Sequence, residues 1–188
     1  MDMQIFPPLQ ITWFGGWLLL LWLSLMVGLV LIFAPKNVRT RLLDRSKFTK
    51  SQKIFLIISK LFSLITLVLI CLTPLTIGSV EFIIGIILFM LAIIGFVIAV
   101  INYVKTPLDE PVTRGIYKIS RHPQETMLSF AILGACFAVS SWFILILFAV
   151  SRIFFHFRIV AEEQACLQQY GESYQEYLNK VPRYFLIF

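Results

Sequence analysis

RGIYKISRHP, from Arg114 to Pro123, and RIVAEE, from Arg158 to Glu163, are two polar stretches set on either side of an apolar run. Residues 126–157 between them contain a single charged residue, Arg152. One helix over residues 126–160 would be about 52 Å long at 1.5 Å per residue, too long for a hydrocarbon core of about 30 Å. A fold near Ser140 and Ser141 gives two crossings instead. The resulting hairpin returns both polar stretches to one end, and ionisable residues at the border of a bilayer mark a functional site by default.

The rest of the chain agrees with a membrane setting. It is 59% hydrophobic and 14% charged, with a mean hydropathy of +0.88. Soluble domains average roughly 45–50% apolar and about 25% charged residues. The net charge of +6 would suggest nucleic acid in a soluble protein, but the basic residues here flank apolar spans, and membrane topology accounts for them. The expected partners are therefore membrane lipids and a lipophilic substrate, not nucleic acid. Three cysteines, Cys71, Cys136 and Cys166, lack disulfide-framework or metal-ligand spacing, and Cys166 is the one outside an apolar run.

Apolar runs at residues 11–34, 54–73 and 82–104 precede the hairpin, for five spans in all. The first lacks a basic flank and a cleavage site, and reads as a retained span. Pro35 stops it, and Lys60 is the one charge in the second, near enough to the end to snorkel. All sixteen Lys and Arg fall in residues 36–60, 105–121 or from 152 onward. With five spans, the positive-inside rule places the N-terminus outside and the C-terminus in the cytoplasm. Residues 36–53 then form a basic cytoplasmic loop. In the tail, Leu167, Tyr170, Tyr174 and Tyr177 recur at helical spacing, which predicts a cytoplasmic amphipathic helix within residues 162–177, ended by Pro182. The expected fold is an all-α integral membrane protein of one domain, with residues 1–104 as scaffold and 105–188 carrying the site.

Several side chains could do chemistry there. Arg158 and Glu162 are four apart on one helical face; they either form an ordinary i,i+4 pair or meet oppositely charged parts of an amphiphilic ligand. Arg152, His156 and Glu163 form a second stripe, read as a proton relay or as polar residues at the interface. His122, ahead of a proline, is expected to be extended just before the fourth span. With two histidines and no carboxylate or cysteine at ligand spacing beside His122, no metal is expected.

These pieces in order, G-x-Y-x-x-x-R-H-P, an apolar hairpin, E-E, Y-G-x-x-Y-x-x-Y and V-P-R, resemble the isoprenylcysteine carboxyl methyltransferase and phospholipid methyltransferase group over residues 105–188. The resemblance implies a membrane methyltransferase that uses S-adenosylmethionine. It implies that Val112, Tyr117, His122, Pro123, Gln124, Glu125 and Glu162 line the cofactor site and that Arg158 engages the substrate, with Arg158 and Glu162 at the reaction centre. The acceptor it implies is lipophilic: a prenylcysteine-like carboxylate, a phospholipid amine, or a small acid or thiol. The chain departs from the group's usual R-H-P-x-Y, having Glu125 in place of the aromatic and Met127 where a small residue is common. Two other readings are an NADPH-dependent enzyme like the sterol reductases, which share part of the pattern, and a membrane scaffold that keeps the fold without catalysis.

Overall fold

The computed structural model describes residues 3–43 and 49–185, and all regular elements among them are helical. They are α1 (Trp17–Phe33), α2 (Lys36–Leu43), α3 (Lys50–Cys71), α4 (Val80–Val104), α5 (Pro123–Ala138), α6 (Trp142–Tyr170) and α7 (Glu172–Lys180), with a 3-10 turn at Gly115–Lys118. α3, α4 and α6 are long and apolar enough to cross a membrane. At 22, 25 and 29 residues they measure about 33, 38 and 44 Å. α1 and α5 are apolar but shorter, with 17 and 16 residues.

The predicted hairpin is present. α5 ends at Ala138, Ser140 takes a left-handed φ of 53°, and α6 starts at Trp142. An N-terminal strap holds this turn: the Gln4 amide donates to Ser140 O (3.0 Å), and the Trp142 and Phe143 amides donate to Gln4 O (2.9 Å) and Ile5 O (3.0 Å). Two of the orphan N–H groups that open α6 are thereby satisfied. Residues 11–16, expected within the first span, belong to this strap instead. The Gly16 amide donates to Thr73 O (2.8 Å), and the Gly16 Cα lies so close to Ile70 that a Cβ would collide with its carbonyl. Backbone pairing at the α3–α4 connection overrides the apolar character of those residues.

Two further expectations change. Part of the basic loop is the helix α2, begun one residue after Pro35; the remainder of that loop, residues 44–48, lies outside the described residues. The single tail helix is two. α6 runs on to Tyr170, then Gly171 (φ 59°, ψ −131°) adopts a conformation that other residues avoid, and α7 leaves in a new direction.

Packing is most extensive between α4 and α5 and between α3 and α6. The first seam is built of small residues, Gly85 against Gly134 and Ala138, and Ala92 with Ala131, as membrane helices need for close approach. Met127 packs into the space left by Gly95, so the bulk at that motif position is accommodated by α4. The second seam stacks Phe55 on Phe157 and Phe62 on Phe154, with ring centroids 4.8 and 5.7 Å apart. Arg152 ties the two seams together. It donates to Ser129 Oγ on α5 (2.7 Å), Ser63 Oγ on α3 (3.2 Å) and Ser151 Oγ beside it (3.2 Å), and lies over the Phe155 ring.

Candidate active site

The site begins with backbone chemistry at the start of α5. Pro123 is the first helical residue, where its missing N–H costs nothing, and His122 before it is non-helical at φ −125°, ψ 54°. The His122 carbonyl accepts from both the amide and the hydroxyl of Thr126 (3.0 and 2.8 Å), which closes the first turn. Upstream, Gly115 has φ 60°, and a side chain there would overlap that of Asn102. The glycine therefore lets the 3-10 turn lie directly on α4 and places Tyr117 in the interior, 5% exposed.

Glu163 holds this segment in place. It is 6% exposed and receives three basic side chains. His122 Nε2 is 3.2 Å from its Oε1, and Arg183 bonds both oxygens, with Nη2 at 2.7 Å from Oε2. Arg121 Nε lies 2.9 Å from Oε1, close enough for ion pairing although its N–H points off the hydrogen-bond line. The backbone adds to the knot. The Arg121 amide donates to Pro182 O (3.0 Å), Arg121 Nη1 to Leu178 O (2.7 Å), Ser120 Oγ to Arg183 O (2.9 Å) and the Tyr177 hydroxyl to Tyr117 O (2.6 Å). Burial pushes the Tyr117 and Tyr177 phenols well above their ordinary value, so both stay neutral.

A second cluster lies one helical turn earlier on α6. Arg158 Nη2 donates to Glu162 Oε1 at 2.7 Å and to Glu125 Oε1 at 2.8 Å, and its guanidinium lies over the Phe155 ring at 4.8 Å. The i,i+4 pair is present, and Glu125 on α5 joins it as a second carboxylate.

Both clusters face a cavity of about 840 Å³ between α2, the end of α4, the start of α5, the last third of α6 and α7. Val112, Tyr117, His122, Gln124, Glu125, Arg158 and Glu162 all line it; Pro123 lies behind the wall, fully buried. The second stripe does not act together. Arg152 bonds the serines named above, His156 Nδ1 meets the Tyr184 hydroxyl at 3.2 Å, and Glu163 belongs to the knot. No relay connects them among the described contacts.

Sequence reasoning missed the cover. Arg41 on α2 donates to Pro107 O (3.1 Å), Glu110 O (2.7 Å) and Tyr170 Oη (2.9 Å), with its guanidinium 5.2 Å from the Tyr103 ring centroid and 5.8 Å from that of Tyr170. It links α2, the polar segment after α4 and the end of α6 across the mouth of the cavity. Among seven nearby Lys and Arg in residues 36–53, no pattern singles it out. A smaller cavity of about 240 Å³, bounded by α1, α2, α4 and α5, adjoins the first and shares Leu42, Tyr103, Gln124, Glu125 and Arg158 with it. Its other lining is mostly apolar, including Val27, Leu31, Phe96 and Leu128.

No curated protein and no solved structure matches the chain. The family model described as phospholipid methyltransferase matches residues 76–173, just over half of the chain, from the α3–α4 connection to the start of α7. That range contains α4, the polar segment, the hairpin and the carboxylates Glu125, Glu162 and Glu163. With three helices of membrane-crossing length and this match, the chain is a membrane protein that belongs to the phospholipid methyltransferase family.

Proposed function

We propose that the protein transfers a methyl group from S-adenosylmethionine to a lipophilic acceptor at the cytoplasmic face of the membrane. The observation that carries the reading is the convergence of residues 112–125 and 158–162 on one cavity that adjoins a smaller, more apolar one. The larger cavity offers Tyr103, Tyr117 and Tyr170 to a flat base, the carboxylates of Glu125 and Glu162 to hydroxyls or a cation, and Arg41 and Arg121 to a carboxylate. Those residue types suit the parts of S-adenosylmethionine. When bound, that molecule supplies an electrophilic methyl on a sulfonium.

The protein's share is positioning. Glu163 fixes the His122 segment, Arg158 holds Glu125 and Glu162 side by side, and α2 forms one wall of the cavity. The apolar cavity offers a lipid chain a route from the bilayer to Glu125 and Arg158. In this reading α1, α3, α4, α5 and α6 cross the membrane. The two short spans are tolerated by local thinning, at a modest cost per ångström of mismatch. α2 and the C-terminal tail line one cavity and so sit on one side, in keeping with a cytoplasmic C-terminus and an external N-terminus. Residues 105–188 carry most of the site and residues 1–104 form the scaffold, with α2 lent to the wall.

The test is transfer of labelled methyl from S-adenosylmethionine into extracted membrane lipid by the detergent-purified protein. Label is expected in the lipid phase. Arg158→Ala, which leaves two neighbouring carboxylates without their shared cation, is expected to lower it at least ~tenfold. No label from an intact wild-type protein would contradict the proposal.

A further inference from the structure

The N-terminal strap lies at the end of the bundle remote from the cavity, and residues 3–34 contain no charged side chain. Its backbone is pinned to two connections. The bonds of Gln4 and Ile5 hold it to the hairpin turn, while the Gln10 amide donates to Leu72 O (2.8 Å) and the Leu75 amide to Phe14 O (2.9 Å) at the α3–α4 connection. Its apolar side chains stay outside the packing: Ile5, Phe6, Leu9, Ile11, Trp13 and Phe14 are all exposed, Ile11 at 82% and Trp13 at 89%. In water such a patch would be an aggregation or docking site. Here it continues onto the apolar outer surface of the spans. The connection that holds the strap follows the exposed Leu64 and Val68 of α3 and leads into the exposed Val80 and Ile83 of α4, in helices of membrane-crossing length. Glu81 is the one charged residue in residues 61–104.

We propose that the strap is an interfacial anchor: residues 5–14 lie in the plane of the leaflet remote from the cavity, with their apolar side chains at the boundary between headgroups and acyl chains. The partner is lipid, and the attraction is burial of apolar area. The depth follows from the backbone. An irregular chain facing hydrocarbon would leave N–H and C=O groups unmet, whereas the headgroup boundary still supplies water. Tryptophan suits that depth, with an apolar ring and a polar N–H. With no Lys or Arg in the strap, attraction to anionic lipid has no source there. Phe6 packs on Phe143 at the start of α6, with ring centroids 5.5 Å apart, so the anchor bears on the hairpin turn as well. The proposal rests on the membrane setting and not on methyl transfer.

The test places the full chain in nanodiscs of phosphatidylcholine brominated either near the headgroup end of the acyl chains or near their far ends, with aqueous iodide as a third quencher. Wild-type emission minus that of Trp13→Phe gives the contribution of Trp13. Bromine near the headgroups is expected to remove most of that emission, bromine at the chain ends less, and iodide least. Anionic lipid mixed with the zwitterionic lipid should leave this order and its size unchanged. Ile11→Trp in the Trp13→Phe background moves the reporter by two residues and should give the same order. Quenching by iodide and not by brominated lipid means that the strap lies in water, and overturns the proposal. Emission protected from every quencher means that protein, such as a second copy of the chain, covers the patch, and overturns it too. Stronger quenching from the chain ends overturns the assigned depth, and quenching that requires anionic lipid overturns apolar burial as the attraction.

Discussion

Glu163→Ala is expected to destabilise the protein by about 3–5 kcal/mol, the cost of removing one partner from a buried ion-pair cluster. The carboxylate is 6% exposed and faces Arg121, His122 and Arg183, of which Arg121 is itself 7% exposed. Without it, basic groups crowd one interior site with no counter-charge, and the backbone bonds from residues 120–121 to 182–183 lose what holds them together. The readout is the midpoint of thermal unfolding in detergent, together with resistance of the tail to proteolysis. Glu163→Gln keeps the shape and some hydrogen bonding, so it should fall between wild type and alanine. A midpoint for Glu163→Ala within a degree of wild type would mean the cluster is not what fixes the His122 segment.

The second large effect is expected where α4 and α5 touch. A Cβ on Gly134 would lie 2.6 Å from Gly85 O and 2.8 Å from the Phe89 amide nitrogen, and a Cβ on Gly85 would meet the backbone of Gly134 and Ala138 in turn. Those neighbours are backbone atoms that cannot rotate away. Gly134→Ala should therefore force the helices apart and cost about 1–3 kcal/mol, as overpacking of a close seam does. α5 begins at Pro123 beside the cavity wall and Tyr103 stands in the last turn of α4, so S-adenosylmethionine affinity should fall along with the unfolding midpoint. Gly28→Ala is the comparison, because nothing lies within 4 Å of the added methyl. It should be neutral or slightly stabilising, given the helix propensity of alanine. Equal effects at the two glycines would exclude the seam as the cause.

What could be read from the sequence follows from what leaves a local mark. Hydropathy and the length limit of a bilayer disclosed the hairpin and placed its turn at Ser140 and Ser141, because a 35-residue apolar stretch has few other options. The helical spacing of Arg158 and Glu162 forecast their ion pair; the proline after His122 forecast an extended residue, and the backbone there is non-helical but turned in, at ψ 54°. The start of α1 was invisible, since residues 11–16 are as apolar as the helix and the signal that unwinds them is a contact with Ile70 and Thr73 far along the chain. The two-helix tail turns on Gly171, a residue the helical spacing of its neighbours outweighed. Arg41 was missed, and Arg183 entered only as the last residue of V-P-R with no role given to it, for the same reason. Each acts through partners 20 or more residues away, and nothing local separates an arginine that closes a cavity from one that sits at the membrane border. Glu163 was noticed by its stripe, but its partners come from residues 121, 122 and 183 and not from the stripe.

The central claim is that the larger cavity is an S-adenosylmethionine site, and calorimetric titration of the detergent-purified protein tests it most directly, with NADPH as the comparison and Glu162→Ala as the variant. The account predicts saturable S-adenosylmethionine binding by wild type, weakened at least ~tenfold in Glu162→Ala by loss of a carboxylate at the cavity wall, and no binding of NADPH. A folded wild-type protein that binds NADPH, or neither molecule, would contradict it.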